Sequence, residues 1–278
     1  MPSRPDSAAP AVVLTLWTDD PATARAADGA GVDRIGPDLE RLGKRERQRD
    51  PAYWISPHSE AALPGLRSAV TRGRLFARTN PFHPGWPDEA ERLLAAGVEV
   101  LMLPAFRSAD EVRAALDTVG GRAELVPLLE TVEALAEVDA IAALDGLREV
   151  HFGLNDLALG FGLDNRFAVL RHAAVEDAAA VLRAGGLRVG VGGIGRAGDE
   201  ALPIPSDLIY AQYARLGATG ALIARSFFRG LPDRPGALAD AVTAARERFG
   251  DWYRADCARL DEAAGELDRR LATAEVSA

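Results

Sequence analysis

The sequence predicts a (β/α)8 TIM barrel with a charged insertion after strand 2 and a C-terminal helical extension. Three observations carry that expectation. Short β-rich apolar runs recur eight times, and Ala-rich stretches with apolar residues at helical spacing separate them. Eight strand–helix units fit the roughly 250 residues of such a barrel. The runs lie at residues 12–17, 33–37, 75–79, 100–103, 125–129, 150–153, 188–191 and 221–224. An open, doubly wound sheet shares this alternation. After the first strand, however, stand Thr18, Asp19, Asp20 and Pro21, where its nucleotide-binding form carries a glycine-rich fingerprint.

Helical periodicity covers residues 89–96, 109–119, 132–143, 167–184 and 206–216. Asp88, Ser108, Thr131 and Ser206 sit just before these runs, where a side-chain oxygen can cap the first amides. Gly97, Gly120, Gly146, Gly185 and Gly217 fall where the helices should stop. Residues 41–57 are strongly charged and longer than a usual βα loop, which makes them either a substrate lid or a surface decoration. Residues 1–235 are expected to form the barrel and 236–278 the extension. Phe249, Trp252, Tyr253 and Leu260 equip that extension to pack, as a last barrel helix plus an arm on a neighbouring subunit.

The 278 residues carry a formal charge of −9, the wrong sign for broad contact with nucleic acid or an anionic membrane. The single cysteine, Cys257, excludes an internal disulfide framework and a cysteine-only metal site. Residues 1–10 do not resemble a secretory signal, and no window approaches the roughly 18 apolar residues of a spanning helix. A soluble, cytoplasmic protein is the expectation.

In a barrel, chemistry collects where the strands end. Strand two ends in Asp38, Leu39 and Glu40, and strand three in Arg78, Thr79 and Asn80. Strand five ends in Glu130 and Thr131, and strand six leads to Asn155 and Asp156. Four carboxylates at one rim repel each other unless a cation neutralises them, and a hard divalent ion suits such oxygens. Each residue also has a plainer reading. Glu130 can start the helix that follows it, Asp156 can cap one, and Arg78 can be an ion-pair partner of Asp38 or Glu40.

The run Pro127, Leu128, Leu129, Glu130, Thr131 and the run Phe152 to Ala158, with Gly160 and Gly162, resemble the HpcH/HpaI aldolase and citrate lyase β-subunit family. Residues 97–112 are similar to that family's fourth strand and helix. Asp38, Leu39 and Glu40, with Arg78 to Pro81, resemble its citrate lyase branch. The likeness covers roughly residues 11–228 and is firmest over 78–162. It implies a phosphoenolpyruvate/pyruvate-type barrel in which Glu130 and Asp156 ligate Mg²⁺ or Mn²⁺. Catalysis is then carbon–carbon cleavage through a metal-stabilised enolate of a pyruvate-like 2-oxo acid. Arg78 faces the enolate oxygen, the amides near Gly153, Asn155 and Asp156 hold the substrate carboxylate, and Asp38 and Glu40 orient metal-bound waters.

The departures from the family pattern shape the remaining expectations. Arg41 stands where the aldolase branch has its acid/base histidine and the citrate lyase branch a further aspartate. Ala105 replaces the lysine that follows the strand-four proline in the citrate lyase branch. His58, beyond the insertion and just before helix two, takes the acid/base role in this reading; the alternative is a helix-capping histidine. Lys44 is the sole lysine and lies in the charged insertion, which argues against Schiff-base chemistry. Synthase or thioester chemistry with coenzyme A is the alternative reaction, and a non-catalytic binding barrel a third reading. The partners expected are a small-molecule 2-oxo acid and further copies of the chain.

Four further features complete the reading. His83 follows strand three in a loop, touching either substrate or solvent; His151 is a core or second-layer residue, and His172 lies on a helix surface. Residues 190–195 are either a phosphate-binding end of strand seven or a tight turn. Tyr210, Tyr213 and Arg215 serve packing or an interface, and Arg225 with Ser226 reaches the rim.

Overall fold

A computed structural model describes residues 10–44 and 56–275 of the chain. Most of the charged insertion, residues 45–55, lies outside the described residues. Eight parallel strands close on themselves in sequence order: β1 Val13–Trp17, β2 Arg34–Gly36, β3 Arg74–Arg78, β4 Val100–Leu103, β5 Glu124–Leu129, β6 Glu149–Phe152, β7 Arg188–Ile194 and β8 Gly220–Ile223. Closure comes from β1 against β8, with Val13 opposite Gly220 and Thr15 opposite Leu222. An open sheet is thereby excluded. β2 is only three residues long, but an isolated parallel bridge carries its pairing on to Asp38 and Arg78.

The helices are α1 Pro21–Gly29, α2 Leu63–Ala69, α3 Trp86–Ala95, α4 Ala109–Val119, α5 Val132–Ala136, α6 Val138–Ala142, α7 Leu154–Phe161, α8 Ala173–Ala184, α9 Ser206–Leu216, α10 Ala237–Tyr253 and α11 Cys257–Glu275. Ser108 and Thr131 cap α4 and α5 as their sequence position suggests, accepting from the amides of Glu111 and Ala134. α3 opens earlier than the periodicity predicts, because Pro87 suits a first helical turn, and Asp88 falls inside that turn. Two long predicted helices are each broken. The first divides at Glu137 into α5 and α6. The second becomes a 3-10 segment, Arg166–Arg171, followed by α8, because His172 takes extended backbone and stacks on Phe161 at 3.8 Å.

Outside the strands, a continuous apolar layer joins sheet and helices, from Leu14 and Ile35 to Leu216 and Ile223. Inside the barrel a smaller cluster of Phe76, Val100, Met102, Val126, Leu128 and Leu222 packs under Trp17. Below it the interior is ionic. Arg34 grips both oxygens of Glu149 at 2.8 Å and reaches Glu124 at 2.9 Å, while His151 Nε2 lies 2.5 Å from Glu149. Burial alone would raise the Glu149 carboxyl, but the bonds from His151 and Arg34 outweigh it and hold the group well below the usual carboxylate range. The imidazole fits because two neighbours are glycine. A Cβ at Gly190 would lie 2.1 Å from His151 Nε2, and one at Gly220 2.7 Å.

The C-terminal helices pack on their own chain. Phe249 of α10 meets Tyr210 and Tyr213 of α9 at 4.5 and 5.5 Å, and Tyr253 donates to the Ala218 carbonyl. Arg246 ties α10 to Val12, Gly31 and Asp33 beside β1. Leu260, Leu267 and Leu271 of α11 are buried in the main core. Among the described residues, no helix is long and apolar enough to cross a membrane.

Candidate active site at the barrel mouth

The ends of β2 and β3 converge through charge. Arg78 points Nε and one terminal nitrogen at the two oxygens of Asp38, both at 2.7 Å, and its other terminal nitrogen at Glu40, 3.0 Å away. Lys44 closes the same group from the loop after β2, 3.2 Å from Asp38 and 3.1 Å from Glu40. All four are buried. The Trp17 ring lies beneath the Arg78 guanidinium at 4.1 Å, so its position is fixed along the ring normal as well as in plane. Burial would lower the Arg78 pKa, but Glu40 and Asp38 raise it further, and the charge of Glu130 adds to them. Burial likewise would raise Asp38, yet Arg78 and then Lys44 hold it well below the usual carboxylate range.

The rest of the β3 end is an anchoring device. Asn80 Oδ1 accepts from the amides of Arg41 and Leu42 at 2.8 and 3.0 Å, and its own amide groups bind buried Glu89. Arg41 donates in turn to the carbonyls of Ser56 and His58. The two described ends of the insertion are thus pinned to each other and to β3.

Glu130 follows β5 and is buried, with Oε1 accepting the Ala105 amide at 2.9 Å. Ala105 is the one non-glycine with positive φ among the described residues, at 49°, a conformation that costs energy and here aims an N–H at a carboxylate. β6 pairs with β5 through Leu129 and Phe152, and the Gly153 amide donates to the Leu129 carbonyl at 3.0 Å. A Cβ on Gly153 would meet Glu130 Oε2 at 2.5 Å, which explains the glycine. Gly153 is also the N-cap residue of α7, so Asn155 and Asp156 occupy its first turn. Asp156 is therefore inside that turn and is not its cap. Among the described residues, no three His, Cys, Asp or Glu side chains form a ready metal cage.

His58 reaches the mouth from the far end of the insertion. Its Nδ1 accepts the Asp38 amide at 3.0 Å, and Nε2 lies 3.6 Å from Asp19 at the end of β1. This arrangement favours the neutral tautomer with its proton on Nε2. Burial is the largest effect on the ring and pushes its pKa below the ordinary histidine value. Ser59, not His58, precedes the 3-10 turn Glu60–Ala62, and it makes no side-chain cap bond. His83 instead accepts from the Gly85 amide and lines a cleft of about 290 Å³ with Phe82, Ala105, Arg107 and Thr131. Tyr210 and Tyr213 are buried and donate to Gly195 and Val191, bracing the glycine-rich end of β7 from behind.

No protein-family profile matches the chain. The hydroxypyruvate/pyruvate aldolase of Sagittula stellata is 31% identical over 143 aligned residues, covering 39% of this chain and 56% of the relative. The chain thus spans little more than half the length of that curated relative. An HpcH/HpaI aldolase/citrate lyase family protein from Burkholderia cenocepacia superposes with a TM-score of 0.58 at 19% identity, covering 87% of this chain and 94% of that one. The CitE protein of Mycobacterium tuberculosis, solved with magnesium and pyruvate, gives 0.60 at 18% identity, covering 94% and 100%. The chain has the fold of the HpcH/HpaI aldolase and citrate lyase proteins.

Within that fold, sequence reasoning missed three contributors. Lys44 belongs by sequence to the charged insertion, yet its side chain is buried between Asp38 and Glu40. The contact pairs residues four and six positions apart, and nothing in a charged run marks which member turns inward. Asp19 stood out only as the absence of a glycine, although it faces His58. Trp17 read as the end of an apolar strand, but the alternation that sends Leu14 and Leu16 outward sends it into the barrel.

Proposed function

We propose that this chain is a divalent-metal-dependent carbon–carbon lyase or aldolase that works through the enolate of a pyruvate-like 2-oxo acid. One observation carries the reading: β5 and β6 deliver Glu130 and the first turn of α7 side by side, at the same mouth where Arg78 feels the Glu130 charge. Two cations, Arg78 and Lys44, pair with Asp38 and Glu40, and the strand ends that follow add Glu130 and Asp156, so the six groups carry a formal charge of −2. Hard oxygen donors with that balance suit Mg²⁺ or Mn²⁺, which Glu130 and Asp156 would hold. Such an ion, when bound, supplies Lewis-acid polarisation of the substrate's keto oxygen.

The chain's own groups do the rest. Arg78 keeps one N–H on each terminal nitrogen outside its three acid contacts, and these meet negative charge growing on the substrate oxygen. His58, neutral at pH 7, takes the proton on Nδ1 once that atom releases the Asp38 amide, with Asp19 beside Nε2 stabilising the charge the ring gains. Gly153 and Asn155 offer first-turn amides of α7 to the substrate carboxylate. The pyruvate aldolase likeness of the curated relative supports this choice of substrate.

A coenzyme A thioester is the alternative substrate, supported by the citrate lyase likeness. We further propose a cytoplasmic protein with residues 1–235 as catalytic barrel and 236–278 as extension; the resemblance supports its assembly as a homo-oligomer. Calorimetric titration with Mn²⁺, followed by NMR of C3 proton exchange in pyruvate in D₂O, tests the reading. Binding that falls by at least about 100-fold in Glu130→Gln and in Asp156→Asn, with exchange in the unaltered protein, is the expected result. Exchange absent at saturating Mn²⁺ would favour a binding barrel.

A further inference from the structure

Lys44 is the one lysine among 32 basic residues, and it is 4% exposed. An ammonium is a strongly hydrated point charge, so its burial needs specific compensation. The compensation is geometric as well as electrical. Asp38 Oδ2 serves both Lys44, at 3.2 Å, and Arg78, at 2.7 Å. Glu40 Oε2 likewise serves Lys44, at 3.1 Å, and Arg78, at 3.0 Å. The four groups alternate in sign around a closed ring, and their formal charge is zero.

We propose that Lys44 is a positioning residue that holds Arg78 in its working orientation at the barrel mouth. The inference rests on the enolate reading of the site. With Lys44 in place, each acid has a second cationic donor, and the Arg78 fork needs to spend only three of its five N–H bonds on them. Without Lys44, Asp38 Oδ2 and Glu40 Oε2 each lose the ammonium they share with Arg78 and draw more strongly on its guanidinium. Glu40 then recruits a further N–H of Arg78, and the fork turns away from the substrate oxygen. Trp17 bars movement through its ring plane, so the rotation is in plane, where it costs alignment without ejecting the side chain. Lys44 therefore acts on the reaction through Arg78.

Lys44→Met and Lys44→Arg, each saturated with Mn²⁺, test this by C3 proton exchange of pyruvate. The expected result is a kcat at least about 10-fold lower in Lys44→Met with KM within about threefold of the unaltered protein, the mark of an interaction used at the transition state. Lys44→Arg should recover most of the loss, because it restores the second cation. A readout independent of turnover uses the single lysine as its own probe. Acylation of Lys44 by acetic anhydride, followed by peptide mass spectrometry, should be slow in the unaltered protein and at least about 10-fold faster in Asp38→Asn. An unchanged kcat in Lys44→Met overturns the proposal, as does equal loss in both variants with equally lowered Tm, or rapid acylation before the ring is broken. Absence of exchange in the unaltered protein overturns the enolate reading, and this role with it.

Discussion

For Arg78 the structural role, an ion pair with Asp38 and Glu40, is observed, and the chemical role is the one we propose. Its ion pairs with Asp38 and Glu40 leave two N–H bonds directed elsewhere, and the planar fork sets their angle. Arg78→Lys keeps the charge and loses the fork. We expect kcat for pyruvate exchange to fall roughly 100- to 1,000-fold, the usual cost of removing one oriented donor, with KM nearly unchanged. A larger change in KM than in kcat would assign Arg78 to ground-state binding. His58 leads to a pH prediction. Only the neutral ring can accept a proton, so activity falls as pH drops through its pKa, and burial sets that pKa below the ordinary value of about 6.5. The acid limb of kcat/KM should therefore centre below 6.5 and vanish with the residual activity of His58→Ala. A limb centred above 6.5 would show that Asp19 and Asp38 dominate the ring.

At the scale of elements, β2 and β6 each work at both ends. β2 places Arg34 in the ionic layer at the bottom and leads to Asp38 and Glu40 at the top; β6 places Glu149 and His151 below and Gly153 above. Arg34→Met removes one partner and leaves Glu149 buried beside Glu124, with His151 and Arg188 as remaining support. The expected cost is about 3 kcal/mol, or a Tm lower by roughly 6–12 °C, read by calorimetry. A change under about 1 kcal/mol would mean that Arg188 carries the pair alone. Strand positions were legible in the sequence because a parallel barrel needs apolar runs spaced by helical periods, and Ser108 and Thr131 marked their helix starts. The interior was not. Arg34, Glu149 and His151 sit in strands whose neighbours are apolar, and only the closure of the barrel brings residues 115 positions apart to within a hydrogen bond. For the same reason the approach of Glu130 to Gly153 could be read from adjacent motifs, whereas the folding of Lys44 onto Asp38 could not.

Taken as a whole molecule, the barrel is apolar between sheet and helices, apolar in its upper interior and ionic below, with the tail helices wrapped onto the same core. The same distribution governs how the protein could be made to withstand heat. Replacing glycine by alanine is a common stabilising substitution, because it removes freedom from the unfolded chain. Here that strategy divides the glycines sharply. At Gly29, the last residue of α1, a Cβ meets nothing within 4 Å, and Gly29→Ala should raise stability by about 0.4–1 kcal/mol in a denaturant titration. At Gly190 and Gly220 the new methyl would strike His151, and at Gly36 the carbonyl of Phe76 at 1.6 Å. Those substitutions should unsettle the barrel from within, and a Gly190→Ala protein with unaltered Tm would contradict the placement of His151. Thermal hardening of this scaffold thus belongs to its outer helices, while the small residues lining the strands are where the protein has already committed its room to charge.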